Sequence, residues 1–134
     1  NTIGSSSNAI WEYGCLVTSV AMVLRQTGED VTPLSIAKRG SYFYSNTANM
    51  YNPWASGRFA TAWGNNPSVI DEKLAAGKPV IVGINIGGKL ETHFIVLKSG
   101  SRGNYIMNDP WHGSNLVFSR YYSTNSIFQY GYLK

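Results

Sequence analysis

The sequence predicts an α+β domain in which N-terminal helices, including a central buried helix, pack on a C-terminal antiparallel β-sheet. An apolar helical segment begins near Cys15, and two shorter helical segments follow it. From Pro79 onward the chain changes to short β-branched and aromatic runs separated by glycine-containing turns. Helices first and strands second is the order of an α+β fold rather than of alternating βαβ units.

Capping residues bound the helical segments. The central helix, about residues 15–26, is apolar on nearly every side and stops before Gly28. Gly14 precedes it and gives the backbone freedom for a sharp entry. Polar capping residues and terminating glycines also bound the two shorter helices, which are predicted at 32–40 and 69–76.

Residues 41–65 lie between the second and third helices and have no clear period. They are rich in tyrosine, asparagine, serine, glycine and tryptophan. A long irregular segment inside a compact domain is commonly functional, so we expect a loop that forms the substrate-side wall of a cleft. Five strands are predicted after it, at 79–86, 93–98, 105–109, 116–118 and 127–132, with a turn at 99–104.

Length and composition predict a single globular domain over residues 1–134. The chain has 134 residues, of which 43% are hydrophobic, and its apolar runs are too short to span a bilayer. It begins at Asn1 without a basic-then-apolar leader, so we expect it to be part of a longer protein. Only 13% of residues are charged. A surface built largely from uncharged polar residues favours an extracellular, cell-envelope or virion-associated location in a bacterial or phage context.

Charge and ligand spacing argue against several classes of function. The net charge of +4 comes from 11 basic and 7 acidic residues, and the basic residues are scattered, so nucleic-acid binding is not expected. One cysteine and two histidines lack the close spacing of a metal site, and no glycine-rich phosphate loop is present. The sequence therefore predicts no metal and no cofactor. It does not indicate an oligomeric state.

The single cysteine, Cys15, stands at the predicted start of the central helix. Free cysteine is among the most buried residue types, so one interpretation is a small core residue. The other is a nucleophile, because the N–H groups and the positive dipole end of a helix N-terminus lower the pKa of a cysteine placed there. The helix alone does not decide between the two.

Two further polar residues stand in positions that a purely structural sequence rarely uses. His93 opens an apolar strand and Asp109 ends the next one. If these strands pair through the turn at 99–104, a pairing of His93 with Asp109 centres the turn at residue 101 and places a carboxylate beside the imidazole. The carboxylate then fixes the tautomer, and the other ring nitrogen can accept a proton from a thiol.

Each of these two roles has an alternative candidate. His112 is the competing base, although it lies in the turn-like segment 110–113, where a solvated histidine is common. Asn108 could orient His93 in place of Asp109. Strand alternation points neighbouring side chains to opposite faces, so only one of the two can do so.

Four segments together resemble the papain-like cysteine peptidases related to the bacteriocin-leader, or double-glycine, peptidases. They are Tyr-Gly-Cys-x-x-Thr-Ser-x-Ala-Met-x-Leu at 13–24, the strand starts at 77–82 and 93–97, and Tyr-Ile-Met-Asn-Asp-Pro-Trp at 105–111. The resemblance implies a papain-like fold and a thiol hydrolase that acts on a peptide or protein. It implies that Cys15 is the nucleophile, His93 the general base and Asp109 the residue that orients the base.

One departure from the family pattern leaves the activity open. Family members carry a glutamine upstream of the cysteine that assists the oxyanion hole, and none precedes Cys15. Gln26 follows 11 residues later, roughly 16 Å along the helix, and cannot replace it. A preceding segment, Asn8 or another donor could supply the group. Three functions remain as alternatives to a protein-processing cysteine peptidase. They are a catalytically impaired peptide-binding module, a peptidoglycan amidase or endopeptidase of a phage or cell envelope, and a structural or glycan-binding domain with an inert cysteine.

Overall fold

A computed structural model describes residues 10–39, 42, 54–85 and 92–134 of the protein. It contains helices and one antiparallel sheet, which confirms the α+β class. The helices are α1 (Ile10–Gln26), α2 (Pro33–Ala37) and α3 (Pro67–Ala75). The strands are β1 (Phe59–Trp63), β2 (Val80–Asn85), β3 (Thr92–Ser101), β4 (Asn104–Asp109), β5 (Gly113–Val117) and β6 (Ile127–Leu133).

The six strands follow the order β1-β6-β2-β3-β4-β5 across the sheet. Every neighbouring pair is antiparallel. The last strand therefore lies between the first and the second, and β2 and β3 occupy the centre. Among the described residues, no helix is both long and apolar enough to cross a membrane.

The first helix begins earlier than predicted, at Ile10 and not at Cys15. The position of Gly14, which was expected to mark a sharp entry, is helical. An interior glycine costs only about 1 kcal/mol relative to alanine, so the helix tolerates it. Cys15 therefore lies in the second turn of α1, and the prediction that it opens the helix was wrong.

The two shorter helices start at the capping residues that the sequence indicates. Thr32 caps α2 in a capping box with Ser35, and each side chain accepts a hydrogen bond from the other residue's backbone N–H. The side chain of Asn66 accepts from the N–H of Val69 at the start of α3. Both helices are close to their predicted positions because capping is a local property of the chain.

Apolar side chains cover both faces of the sheet. On one face α1 packs against β3, and its buried residues cluster with Ile81 and Val96. On the other face α3 packs against β3, and Ile70 joins a second cluster with Ile95 and Leu97. The α1 residues of the first cluster are Val17, Val20, Ala21, Val23 and Leu24. The alternation along β3 thus assigns even-numbered residues to the α1 side and odd-numbered residues to the α3 side.

The segment 41–65 is less irregular than predicted. It contains β1, which pairs with β6, and a turn at Trp54–Gly57 whose two central residues have left-handed backbone angles. Trp54 is buried, with 2% of its surface exposed, and lies against Gly131 of β6. A Cβ at position 131 would be 2.4 Å from Cζ3 of Trp54, so the glycine makes room for the indole. Residues 41 and 43–53 of the predicted substrate-side wall lie outside the described residues.

The β3–β4 hairpin differs from its predicted register. β3 continues to Ser101, and the chain turns at Arg102 and Gly103, which both have positive φ angles. Val96 pairs with Asn108, so the same register would bring His93 level with position 111 and not with Asp109. The predicted pairing was therefore wrong by two residues. Because strand faces alternate with a period of two, this error leaves His93 and Asp109 on the same face.

Candidate active site

His93 and Asp109 form a buried pair on the α3 side of the sheet. Nε2 of His93 lies 2.7 Å from Oδ1 of Asp109, and the two residues are 0% and 2% exposed. Residues 93 and 109 share the face of Ile95 and Met107, as the alternation of β3 and β4 requires. The structure thus joins the two residues that the sequence placed on adjacent strands.

The carboxylate of Asp109 accepts two further hydrogen bonds. The backbone N–H of Trp111 donates to Oδ1 at 2.8 Å, an Asx-type turn formed at Pro110. The hydroxyl of Tyr122 donates to Oδ2 at 2.5 Å. Burial works against ionisation of this group, but the hydrogen bonds from His93, Tyr122 and Trp111 outweigh it and lower the pKa of Asp109 below its ordinary value. Asp109 therefore acts as an acceptor, and the hydrogen of the His93–Asp109 hydrogen bond is on Nε2 of His93.

The other ring nitrogen of His93 is buried and has no hydrogen-bond partner among the described residues. With the proton on Nε2, Nδ1 of a neutral imidazole carries a lone pair. The ring of Trp111 stacks on the imidazole with a centroid distance of 3.7 Å and an interplanar angle of 19°. Trp111 is itself 54% exposed. Its indole therefore covers His93 on one face and is exposed to solvent on the other. A buried lone pair without a hydrogen-bond partner can accept a proton from a nearby acid.

Cys15 lies on α1 and is in contact with the backbone of Phe94, the residue that follows His93 in β3. The thiol is buried, and the backbone of Phe94 forms a hydrogen bond to it. In the next turn of α1, Oγ of Ser19 donates to the carbonyl oxygen of Phe94 at 3.2 Å. Two α1 side chains therefore engage the backbone of the residue that follows His93. The unpartnered state of Nδ1 means that no hydrogen bond joins it to the thiol in this structure.

The thiol is not activated in the way that the sequence indicated. Burial raises the pKa of Cys15, and the negative charge of Asp109 adds to this effect. Backbone hydrogen bonds from Phe94, Leu16 and Cys15 itself lower the pKa but do not compensate. The expected lowering by a helix N-terminus was wrong, because α1 begins five residues earlier, at Ile10. A raised pKa favours the neutral thiol as the form of Cys15 without substrate.

The competing candidates lie elsewhere. Oδ1 of Asn108 accepts a hydrogen bond from the N–H of Asn115 at 3.0 Å, on the face opposite to Asp109. His112 is exposed, and its ring lies against Tyr121 with a centroid distance of 4.7 Å. The structure thus joins Asp109, and not Asn108, to the buried imidazole.

The described residues do not identify the second oxyanion donor. Asn8 and the residues before Ile10 lie outside them. The N–H of Cys15, the expected first donor, belongs to the second turn of α1, where helical N–H groups bond to the carbonyl four residues earlier. In the part of the chain that the structure describes, no group of three or more histidine, cysteine, aspartate or glutamate side chains is arranged to hold a metal ion.

With this geometry established, comparison with known proteins places the chain in a family. The model of the Peptidase_C39-like family matches residues 4–131, nearly the whole chain. The chain belongs to the Peptidase_C39-like family. This confirms the family resemblance predicted from the four sequence segments.

A solved structure has the same fold as this C39-like chain. A crystal structure of a protein from Bacillus anthracis, assigned as a C39-like peptidase, superposes with a TM-score of 0.64 over 90% of this chain and 88% of that chain. Sequence identity is 16%, so the likeness shows the fold alone. No curated protein matches the chain.

Two residues around His93 and Asp109 were not assigned a role from the sequence. Trp111 belongs to the Asp-Pro-Trp segment quoted for the family, but its stacking on His93 depends on the β3–β4 register. Tyr122 follows the short 3-10 helix Phe118–Arg120, 13 residues beyond Asp109, and no sequence signal links the two. Contacts of this kind arise from the tertiary fold.

Proposed function

We propose that this C39-like chain is a cysteine peptidase that hydrolyses peptide bonds through Cys15, His93 and Asp109. The main support for the proposal is the hydrogen bonding of the two ring nitrogens of His93. Its Nε2 is held by an ionised Asp109 at 2.7 Å, and its Nδ1 is buried without a hydrogen-bond partner among the described residues. The next residue in β3, Phe94, forms a backbone hydrogen bond to the Cys15 thiol. Family membership supports a peptidase.

The raised pKa of Cys15 determines the order of proton transfer in this mechanism. Nδ1 of His93 takes the proton of the thiol as Sγ attacks the carbonyl carbon of the substrate. The imidazolium that forms is stabilised by Asp109 and then protonates the leaving amine as the C–N bond breaks. A water molecule, deprotonated by His93, attacks the thioester, and the acid product leaves as the thiol is restored.

The lack of a hydrogen bond between the Cys15 thiol and Nδ1 of His93 is compatible with this order of steps. Hydrogen bonds between catalytic groups are commonly long or misaligned without substrate and tighten in the Michaelis complex. In this mechanism the oxyanion also needs hydrogen-bond donors, and the N–H of Cys15 is the expected first one. Loss of one such donor typically lowers the rate by about a hundred- to a thousandfold, so a site with a single donor retains measurable activity.

The substrate of the proposed peptidase is a peptide or protein. Leader peptides that end in paired glycines are the class that the bacteriocin-leader resemblance implies. The low content of charged residues supports action outside the cytoplasm, at a cell envelope or virion. Peptidoglycan is the second candidate substrate, because the exposed face of Trp111 beside His93 offers a stacking surface for a sugar ring.

Product analysis of the isolated protein tests these assignments. Double-glycine leader peptides, a general peptide library and peptidoglycan fragments are incubated separately with the wild-type protein and with Cys15→Ala, and products are identified by mass spectrometry. Peptide cleavage that disappears in Cys15→Ala supports the proposal. Release of peptidoglycan fragments with the same dependence identifies a wall amidase or endopeptidase. Peptide binding without any cleavage would contradict the proposal and indicate a binding module.

A further inference from the structure

Tyr122 completes the set of hydrogen bonds that fixes the carboxylate of Asp109. Oδ1 accepts from Nε2 of His93 and from the N–H of Trp111, at 2.7 and 2.8 Å. Oδ2 accepts from the hydroxyl of Tyr122 at 2.5 Å. A carboxylate with donors on one oxygen can turn about its terminal bond, whereas donors on both oxygens define its plane. Tyr122 therefore helps to fix the plane of the carboxylate relative to the imidazole.

The position of Tyr122 is itself well defined. Its backbone N–H donates to the carbonyl oxygen of Phe118 at 2.9 Å, and its ring lies against that of Phe118 with a centroid distance of 5.8 Å. The ring is also 6.0 Å from that of His93. Burial and the neighbouring Asp109 both raise the pKa of Tyr122, so the phenol keeps its proton and remains a donor.

We propose that Tyr122 is a positioning residue for the hydrolysis: its hydroxyl fixes the plane of the Asp109 carboxylate so that one oxygen meets Nε2 of His93, which leaves Nδ1 to accept the thiol proton. This inference rests on the proposed function of Cys15, His93 and Asp109. Tyr122 contacts the carboxylate and acts through it, so its removal changes the protonation and orientation of the pair and leaves the nucleophile in place.

The chain contains a matched control for the loss of a tyrosine–carboxylate hydrogen bond. Tyr105 donates to Oδ1 of Asp71 at 2.7 Å, and its ring packs on Phe118 with a centroid distance of 5.9 Å. Asp71 belongs to α3 and makes no hydrogen bond to His93 among those the structure describes. Tyr122→Phe and Tyr105→Phe thus remove the same group from the same aromatic cluster, but only the first touches Asp109.

The test compares the pH dependence of kcat/KM for peptide cleavage in the two variants and the wild-type protein. A hydrogen bond that lowers the pKa of Asp109 is lost in Tyr122→Phe, so the loss of kcat/KM that accompanies protonation of Asp109 should begin at higher pH. We expect kcat/KM to fall about tenfold or more near the acidic limb. Tyr105→Phe should keep the wild-type profile even if it lowers the melting temperature.

A second measurement does not require activity. In the proton NMR spectrum the Nε2–H of His93 should exchange slowly with water in the wild-type protein and in Tyr105→Phe, and faster in Tyr122→Phe. His112→Gln removes the other imidazole and secures the assignment. If the wild-type protein cleaves nothing, the proposed function fails while this measurement still decides the role of Tyr122. An acidic limb and an exchange rate in Tyr122→Phe equal to those of the wild-type protein would overturn the inference.

Discussion

Nε2 of His93 lies 2.7 Å from Oδ1 of Asp109, and both side chains are buried between the sheet and the residues that follow β4. The carboxylate is ionised, because three donors lower the pKa of Asp109 despite its burial. Nδ1, the other ring nitrogen of His93, has no hydrogen-bond partner among the described residues. This relationship sets the direction in which protons can move through the site and underlies the predictions below.

Asp109→Asn should preserve the shape of the site and remove most of its activity. An asparagine amide can present its NH₂ group to Nε2 and so favour the other tautomer of His93, and it cannot stabilise an imidazolium. In a serine peptidase triad the equivalent change lowers kcat by about 10⁴-fold, and we expect a loss of at least about 10²-fold in peptide cleavage. Asn108→Ala is the control, because Asn108 lies on the opposite face. Equal losses in the two variants would contradict the assignment of Asp109.

The stability of the protein should depend on pH through Asp109. A group whose pKa is lower in the folded than in the unfolded chain stabilises the fold above its unfolded pKa, about 3.9 for aspartate, and this contribution is lost as the pH falls through the folded value. Urea unfolding should thus show a decline below about pH 4. Asp109→Asn should be less stable at pH 7, by about 1.5–3 kcal/mol, with a shallower decline on acidification.

A second carboxylate requires a control in that experiment. Hydrogen bonding from Arg58 lowers the pKa of Glu29 and outweighs desolvation, and Arg39 adds to the effect, so Glu29 titrates in the same direction. Glu29→Gln removes this contribution without touching the site. If the acid dependence vanishes in Glu29→Gln and persists in Asp109→Asn, the stabilising role of the buried pair is contradicted.

Gly131→Ala tests the packing of β6 against Trp54. The added methyl group would lie 2.4 Å from Cζ3 of the buried indole, so either the indole or the strand must shift. Overpacking of this kind typically costs about 1–3 kcal/mol of unfolding free energy. The same substitution in a Trp54→Leu background should cost less, because the smaller side chain leaves room. Purely additive effects in chemical denaturation would show that the two positions are not in contact.

The sequence predicts local features of this fold better than tertiary ones. The caps at Thr32 and Asn66 and the β-branched run of β2 act within a few residues, and their elements appear where expected. β1 was missed because Phe59–Trp63 contains alanines and a single β-branched residue, and its strand conformation depends on pairing with β6. The start of α1 was missed because Gly14 was taken as a helix boundary.

At the candidate site, too, local features were predicted better than tertiary ones. The alternation of β3 and β4 places His93 and Asp109 on one face even though the predicted register was wrong by two residues. Burial of Cys15 depends on the packing of the whole chain, which local patterns do not show. Burial raises the pKa of Cys15, so the predicted lowering was wrong. The contacts of Trp111 and Tyr122 depend on the turns after β4, which local patterns do not specify.

Alkylation kinetics measure the state of the resting thiol. Because burial raises the pKa of Cys15, its reaction with iodoacetamide should still accelerate above pH 8.5, the ordinary pKa of a cysteine. The urea-unfolded protein is the control and should titrate near that ordinary value. A plateau already reached below pH 7 in the folded protein would show a thiolate–imidazolium pair at rest, and proton transfer would then precede the attack.

The central claim is that Cys15 is a nucleophile served by His93, and covalent labelling tests it most directly. The folded protein is treated with an epoxide-bearing peptide inhibitor, and the adduct is located by mass spectrometry in the wild-type protein, His93→Gln and His112→Gln. We predict one adduct on Cys15 that forms at least about 10²-fold more slowly in His93→Gln and at the wild-type rate in His112→Gln. An absence of labelling in the folded wild-type protein, or equal rates in wild type and His93→Gln, would contradict the account.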